Sequence, residues 1–337
     1  MAIQQRNEEM ALLTFFAMVL VVIGHSDITP DYKNLWIYKW VYSFHMPLFF
    51  FISGFLFSLT NPPERLNHLS YMLFIKKKFV RLIFPFLFIN TIIYVCKSGG
   101  IIDKAVMQHP VLAGWDSFIA STLYHPLGFM WFLPALFMIF IFIYPWWRLI
   151  NLLHSRQKTT MGILILLTFL IVMIVNELLP KIEFMQISTS IYYLRYFLLG
   201  ILYWAYKPVI DRLFFKFSYL TVPIFCLISV LLLCKGIVAA LSGIILSLNL
   251  ALLLSRRSHE CIIQLSKYCY TVFLLSYFPQ MFIRGPIAHY FPAVNQYWFS
   301  LLSFLSGLLC PFLIAWFYSK FKHRYPALGR VAFLLGL

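Results

Sequence analysis

Two histidines stand out in this apolar chain, because an imidazole can transfer a proton near neutral pH and a polar group inside a membrane is costly. His25 closes the first apolar run, and His45 lies inside the second. Pro47 follows His45, and its ring removes a backbone hydrogen bond, so it should loosen the helix there. We interpret both histidines as candidates for a functional polar spot in the outer half of the bundle. The alternative for each is an interhelical hydrogen bond without chemistry.

Basic side chains form the second group of candidates. The run Lys76-Lys77-Lys78-Phe79-Val80-Arg81 precedes an apolar segment. Lys78 and Arg81 are three residues apart, so a helix would place both on one face, where they could bind phosphate groups. Arg256-Arg257 could do the same, whereas an anchor for anionic lipid headgroups is the alternative interpretation of the lysine run. Arg195 differs, because it lies inside an apolar run and needs an internal partner, and we expect it to face a wet cavity.

The composition identifies the elements that carry these groups. The chain has 337 residues, of which 62% are hydrophobic and 11% charged. Soluble domains are about 45–50% apolar and about 25% charged, so an ordinary soluble protein is excluded. A membrane-spanning helix needs about 20 mostly apolar residues. We therefore predict an all-α polytopic membrane protein, with residues 1–337 forming one integral-membrane domain of about ten transmembrane helices in one bundle. The predicted spans are Met10–Gly24, Ile37–Leu59, Phe79–Val95, Gly128–Trp146, Met161–Val175, Ser188–Tyr206, Phe217–Leu233, Ile237–Leu254, Ile262–Ile283 and Tyr297–Tyr318.

The distribution of charge predicts the orientation of these spans. The formal net charge is +16. The sequence nevertheless shows no soluble module with a basic patch that could bind a nucleic-acid groove, so we expect no nucleic-acid partner. With a cytoplasmic N-terminus, inner segments hold 19 Lys and Arg residues and outer segments hold seven. That bias is the positive-inside pattern, and it predicts that both termini are cytoplasmic. The six cysteines show neither a CxxC pair nor metal-ligand spacing, so we expect no metal site.

The longest predicted connection, Cys96–Leu127, lies on the outer side in this topology. Long connections in compact folds are usually functional or disordered. Its apolar residues, which include Trp115 and Phe118, make it too hydrophobic for a disordered segment. We expect it to lie on the membrane or to re-enter the bundle as a lid.

Several of these segments together resemble a known family. They are Gly24-His25-Ser26, the stretch from Phe44 to Phe55 that reads FHMPLFFFISGF, Lys78-Phe79-Val80-Arg81 before Phe84-Pro85, Trp131-Phe132-Leu133, and the late segment from Lys267 to Leu275. The chain resembles, over essentially its whole length, the acyltransferase-three family of bacterial inner-membrane O-acyltransferases, and is most similar to the fucose 4-O-acetylase-like group.

The resemblance implies a function and an assignment of site residues. It implies transfer of an acetyl or larger acyl group from cytoplasmic acyl-CoA to a hydroxyl of a surface glycan or its lipid-linked precursor. His25 matches the essential first-helix histidine of the family, and the Lys78–Arg81 pair matches its basic motif. Together with the polar and basic groups described above, this gives His25, His45 and Arg195 as the expected catalytic residues, Lys76, Lys77, Lys78 and Arg81 as the expected acyl-CoA-binding residues, and Asp27, Asp31, Asn90 and Trp131 as the expected substrate-binding residues.

The chemistry expected of His25 is that of a general base, since a neutral imidazole can take the proton of a sugar hydroxyl as it attacks the thioester. Covalent acyl-histidine transfer is equally compatible with the sequence. Asp27 or Asp31 could orient the ring or bind sugar, and Arg195, Asn90 or a tyrosine hydroxyl could stabilise the oxyanion. The expected surroundings are membrane lipids and a glycan acceptor.

Two positions depart from the family pattern. The family usually has an arginine eleven residues before the essential histidine, where this chain has Thr14, and a histidine often follows the late segment, where this chain has Ser276. Either Arg6 or Arg195 substitutes for the missing charge, or this chain binds its acyl donor differently from the family.

A transporter or flippase of polysaccharide or small molecules is the competing function class. No acidic residue lies clearly inside a predicted span, so a carboxylate proton relay has no obvious member. The sequence also shows no paired broken helices in two matching halves. Both observations favour the enzyme.

The orientation can be tested with topology reporters. Because the positive-inside bias is 19 to seven, a fluorescent protein fused after Leu337 should fluoresce and a phosphatase at that position should be inactive. A phosphatase fused after Lys181, in a predicted outer segment, is the matched control and should be active. Phosphatase activity after Leu337 would contradict the orientation.

Overall fold

The computed structural model describes residues 2–26, 35–62, 70–99, 111–153, 158–231, 236–255, 260–290, 295–321, 329 and 332–336. Every regular element in these ranges is helical, and helix makes up 88% of the structure. The helices are α1 Ala2–Gly24, α2 Trp36–Thr60, α3 Tyr71–Ser98, α4 Trp115–Leu123, α5 Phe132–Leu153, α6 Lys158–Leu178, α7 Ile187–Lys216, α8 Ser218–Leu231, α9 Gly236–Leu254, α10 Glu260–Ser266, α11 Cys269–Leu275, α12 Tyr277–Tyr290 and α13 Gln296–Phe321. Short 3-10 helices cover Phe184–Gln186 and Phe333–Leu335.

The predicted all-helical membrane architecture is confirmed, and the number of spans is smaller than the prediction in the described ranges. Six helices there are long and apolar enough to cross a membrane, and two bent helix pairs raise the number to eight at most. The six are Trp36–Thr60, Tyr71–Ser98, Phe132–Leu152, Thr159–Leu178, Gly236–Leu254 and Tyr297–Phe321, and the two pairs are Phe184–Lys216 with Ser218–Leu231 and Glu260–Ser266 with Cys269–Ile283. The count of ten and the cytoplasmic termini remain predictions.

The predicted span Ile262–Ile283 differs most from the observed helices. It is divided into α10, α11 and α12, with a bend of 52° at the break after Ser266. The amides of Lys267 and Tyr268 donate to carbonyls three residues back, to Gln264 and Leu265, which tightens and ends α10. A continuous apolar run therefore does not guarantee one straight helix.

The chain forms two compact units. The first contains α1, α2 up to Phe49, and α8 to α13. Within it, Trp40 Nε1 on α2 donates to Ser229 Oγ on α8 (2.9 Å), and Thr221 Oγ1 on α8 donates to Asn249 Oδ1 on α9 (3.0 Å). The ring of Phe15 on α1 stacks on the ring of Phe312 on α13, with the ring centroids 6.5 Å apart. Buried polar side chains thus join the helices of this unit in pairs, as expected where water is absent.

The second unit contains α2 from Phe50 onward, α3 to α6, and α7 up to Ile210. Trp147 Nε1 on α5 donates to the carbonyl of Asn61, just after α2, at 3.0 Å. The carbonyl of Ala135 on α5 accepts from Ser190 Oγ on α7, also at 3.0 Å. The short helix α4 belongs to the connection that was predicted to lie on the membrane or to re-enter the bundle as a lid, and it packs against α3. Tyr94 of α3 accepts a hydrogen bond from the amide of Gly114 and donates to its carbonyl at the start of α4.

Two glycines allow a close helix contact in the second unit. A Cβ added to Gly54 of α2 would meet the backbone carbonyl of Phe197 on α7. Conversely, a Cβ on Gly200 of α7 would meet the carbonyl of Phe51 on α2. The two backbones are in direct contact at this crossing, which is the typical role of small residues between membrane helices.

Substitution of either glycine should separate α2 from α7. Alanine is a better helix former than glycine by about 1 kcal/mol, yet Gly54→Ala and Gly200→Ala should lower the melting temperature, because overpacking costs about 1–3 kcal/mol and backbone atoms cannot move aside. Thr159→Ala, at an exposed position on α6, is the control and should leave the melting temperature unchanged. Equal or higher melting temperatures for the glycine variants would contradict the contact.

Candidate active site

His25 lies at the end of α1, where the helix leaves carbonyl groups without helical partners. Its amide still donates to the carbonyl of Val21 at 3.1 Å, and the next amide, that of Ser26, bonds back to Ile23. Ser26 Oγ donates to the same carbonyl of Ile23 at 2.7 Å. Tyr42 on α2 donates its hydroxyl to the carbonyl of Gly24 at 3.2 Å. The turn that carries His25 is therefore fixed on both sides.

Tyr42 also connects the two candidate histidines. Its ring lies edge-on to the ring of His25, with centroids 6.3 Å apart, and edge-on to the ring of His45 at 4.8 Å. Tyr38 stacks on its other side at 4.0 Å. The first unit thus brings together His25 and His45, as the sequence predicts, with an aromatic ring between them. Nothing in the sequence pattern singled out Tyr42.

The two imidazoles differ in exposure. His25 is half-buried, whereas His45 is 2% exposed, and its Nδ1 lies 2.9 Å from the carbonyl of Val41 one turn earlier. Helix α2 continues without a break through Pro47. This geometry favours a structural part for His45 and leaves His25 as the more accessible imidazole of the pair.

Gln280 is a buried polar residue near His25 that the sequence reading missed. It lies on α12, has no exposed surface, and donates from Nε2 to the carbonyl of Val22 at 3.0 Å. Its Oε1 has no hydrogen-bond partner among the described residues. Gly307 of α13 faces its amide, where any Cβ would be 2.7 Å from the Gln280 side chain. In the sequence, Gln280 could have been noticed as an amide side chain inside the apolar segment 278–282.

The basic run lies inside helix α3, which begins at Tyr71, so its side chains point in different directions. Lys78 is half-buried, and its Nζ lies 4.0 Å from the ring centroid of Phe140 and 5.3 Å from that of Phe74. Lys76, Lys77 and Arg81 are exposed. Lys78 thus makes cation–π contacts inside the second unit, and the exposed pair with helical i, i+4 spacing is Lys77 and Arg81.

Arg195 and Trp131 contact the neighbouring tyrosines Tyr192 and Tyr193 in the second unit. The guanidinium of Arg195 is 7% exposed and lies 3.8 Å from the ring centroid of Tyr192, and its Nε has no hydrogen-bond partner among the described residues. The ring of Trp131 lies 5.4 Å from that of Tyr193. The prediction that Arg195 needs an internal partner is thus met by an aromatic face rather than by a carboxylate.

The amide of Asn90 is engaged within the protein. Its Nδ2 donates to the carbonyl of Ser121 at 3.1 Å and lies 3.4 Å from Thr122 Oγ1, and its Oδ1 accepts from the amide of Leu127 at 3.0 Å. Asn90 therefore joins α3 to the α4 segment, and its predicted part in substrate binding remains a prediction. Four other predicted residues lie outside the described ranges: Asp27, Asp31, Arg256 and Arg257.

Comparison with known proteins assigns the chain to a family. A family model described as an acyltransferase domain, that of the acyltransferase-3 family, matches residues 7–319. The chain belongs to the acyltransferase-3 family. No curated protein and no solved structure matches the chain significantly. The family identification made from the sequence motifs is confirmed, and the fucose 4-O-acetylase-like subgroup remains a prediction.

The match identifies this membrane protein as an acyltransferase, and it extends over both units. It begins before His25 and ends within α13, so it includes the His25 turn, the basic run and Trp131. In the described part of the chain no three His, Cys, Asp or Glu side chains are grouped as metal ligands are. The acyltransferase has, in the His25 turn, a half-buried imidazole on a firmly held backbone.

Gln280→Leu tests whether the buried amide positions the His25 turn. The leucine is apolar like the surrounding segment but leaves the Val22 carbonyl without its donor, so the turn should shift and kcat for acyl transfer should fall about tenfold, with the KM for the acyl donor unchanged. Gln264→Leu, at an exposed position on α10, is the control and should keep wild-type kinetics. Wild-type kcat in Gln280→Leu would show that the amide has no positioning effect.

Proposed function

We propose that this acyltransferase moves an acetyl or larger acyl group from cytoplasmic acyl-CoA to a hydroxyl of a cell-surface glycan or its lipid-linked precursor, in the bacterial cytoplasmic membrane. The observation that carries the proposal is the half-buried His25 on a turn held by Tyr42 and Gln280, in a chain that belongs to the acyltransferase-3 family. The resemblance of Gly24-His25-Ser26 to the family's essential histidine supports the same residue.

The proposed chemistry uses His25 as a general base. The unprotonated ring nitrogen of the neutral imidazole accepts the proton of the acceptor hydroxyl while the hydroxyl oxygen attacks the thioester carbonyl carbon. The carbon–sulfur bond then breaks, and the imidazolium returns the proton to the departing thiolate, so the products are an acyl ester and free CoA. General bases of this kind typically contribute about 10²–10⁴-fold to the rate.

The proposed donor site uses exposed cations at the start of α3. Lys77 and Arg81 are four residues apart and exposed, so both can reach the phosphates of CoA from the cytoplasmic side in the predicted topology. Lys76 adds positive potential. Lys78, held against Phe140, fixes the orientation of the helix and contributes its charge at short range.

The experiment compares histidine and donor variants of the purified protein in lipid nanodiscs, with acetyl-CoA and a crude glycan fraction of the producing cell as acceptor. His25→Ala and His25→Gln should each lower kcat by about 10²-fold or more. Lys77→Gln with Arg81→Gln should raise the KM for acetyl-CoA about tenfold, because charge-assisted bonds to phosphate are lost. The matched control is Arg212→Gln with Lys216→Gln, another exposed pair four residues apart, which should change neither constant.

The outcomes separate the function classes. Near-normal transfer in both His25 variants would remove the base assignment, and acetylated His25 trapped without acceptor would favour covalent transfer. Acceptor movement across vesicle membranes without any consumption of acetyl-CoA would favour the transporter instead.

A further inference from the structure

The second unit contains an open cavity of about 810 Å³ between the turn after α4, the end of α6 and the start of α7. Its volume falls within the roughly 300–1,000 Å³ of small-molecule sites. Its lining combines aromatic rings with hydroxyl, amide and carboxylate groups, and it includes Trp131. None of the other residues in the lining was singled out by the sequence.

One wall of the cavity is aromatic and rigid. The rings of Trp131 and Tyr193 lie 5.4 Å apart, and Tyr192 lies 5.0 Å from Tyr193. Phe50 supports Tyr193 from behind, stacked at 4.5 Å with an angle of 14° between the rings. The buried guanidinium of Arg195 lies behind Tyr192. Flat rings held in this way offer an apolar surface with polar edges, to which the C–H face of a sugar ring can bind.

The polar part of the lining is also held in place. Gln186 Nε2 donates to the carbonyl of Tyr124 at 2.8 Å, and its Oε1 accepts from Thr189 at 2.8 Å. These bonds hold Met185 and Gln186 at positive φ of 47° and 61°, a conformation that costs non-glycine residues about 1–3 kcal/mol each and is concentrated at functional sites. Asn176 and Glu177 also belong to the lining, and Asn176 Nδ2 donates to Glu177 Oε1 at 3.2 Å.

The charges in the cavity distinguish the possible ligands. The lining holds two carboxylates, Glu177 and Glu183, against one lysine, Lys181. His125 at the rim lies 3.6 Å from Glu183. A CoA molecule carries several phosphates and would meet this negative charge, and so would an acidic sugar. A neutral sugar has no such penalty, and its hydroxyls are good donors to carboxylate oxygens.

We infer that this cavity binds a neutral pyranose of the acceptor glycan, stacked on Trp131 and Tyr193 and hydrogen-bonded through its hydroxyls to Asn176 and Glu177. The inference rests on the proposed function, of which it names the acceptor class and site. The cavity lies at the end of the unit that the charge distribution predicts to be outside, where a surface glycan or its precursor would arrive.

Binding can be measured without turnover. Saturation-transfer NMR would be recorded on nanodisc-embedded protein, prepared without sugar-based detergents, with methyl glycosides of glucose, galactose, mannose, rhamnose and fucose as probes. At least one should give a saturation-transfer signal. Trp131→Ala and Glu177→Gln should each weaken its binding about tenfold or more. Trp115→Ala and Glu260→Gln, at exposed positions outside the cavity, are the matched controls and should bind like the wild type.

The kinetic arm separates this inference from the proposed function. In acetyl-CoA assays with the bound glycoside, both cavity variants should raise the acceptor KM about tenfold and leave the KM for acetyl-CoA unchanged. Glycoside binding that both variants weaken, without any acetyl transfer, would support the cavity and contradict the proposed function. Absence of binding by every glycoside, or binding unchanged in Glu177→Gln and Trp131→Ala, would overturn the cavity assignment.

Discussion

The carbonyl groups at the end of α1 are the constraint on which the arrangement of the first unit depends. A helix leaves its last four carbonyls without helical partners, and in an apolar environment each needs a donor from elsewhere in the protein. Tyr42 supplies one donor from α2, Gln280 supplies one from α12, and Ser26 folds back to supply another. Two distant segments are thereby attached to the turn that carries His25. The position of the proposed base is thus a consequence of satisfying the backbone.

Positive charge poses the corresponding constraint in the second unit. The chain has 27 Lys and Arg residues against 11 Asp and Glu, so carboxylates are too few to pair with every cation, whereas 19% of the residues are aromatic. Lys78 lies over Phe140 and Arg195 over Tyr192. Cation–π contacts contribute about 0.5–1 kcal/mol at exposed sites and about 2 kcal/mol when desolvated. Aromatic faces thus take the place of acidic partners, and the carboxylates of the cavity wall remain at its surface.

The sequence predicted the locations of helices better than their shapes. Each of the ten predicted spans overlaps at least one helix in the described residues, because long apolar runs are the strongest signal of membrane proteins. The break after Ser266 was not predictable, since no proline or glycine marks it. Likewise, the spacing of Lys78 and Arg81 predicted a shared face but could not show that Phe140 would draw Lys78 inward. His25 was found because it ends an apolar run, whereas Tyr42 and Gln280 matter only through contacts between distant segments.

The most direct test of His25 as the general base is an experimental structure of the protein in nanodiscs with a non-hydrolysable acetyl-CoA analogue bound. The analogue's carbonyl carbon should lie near the His25 imidazole, with room for one hydroxyl oxygen between them. A carbonyl bound far from His25, with the turn at Gly24 still closed by Tyr42, would contradict the proposed role of His25.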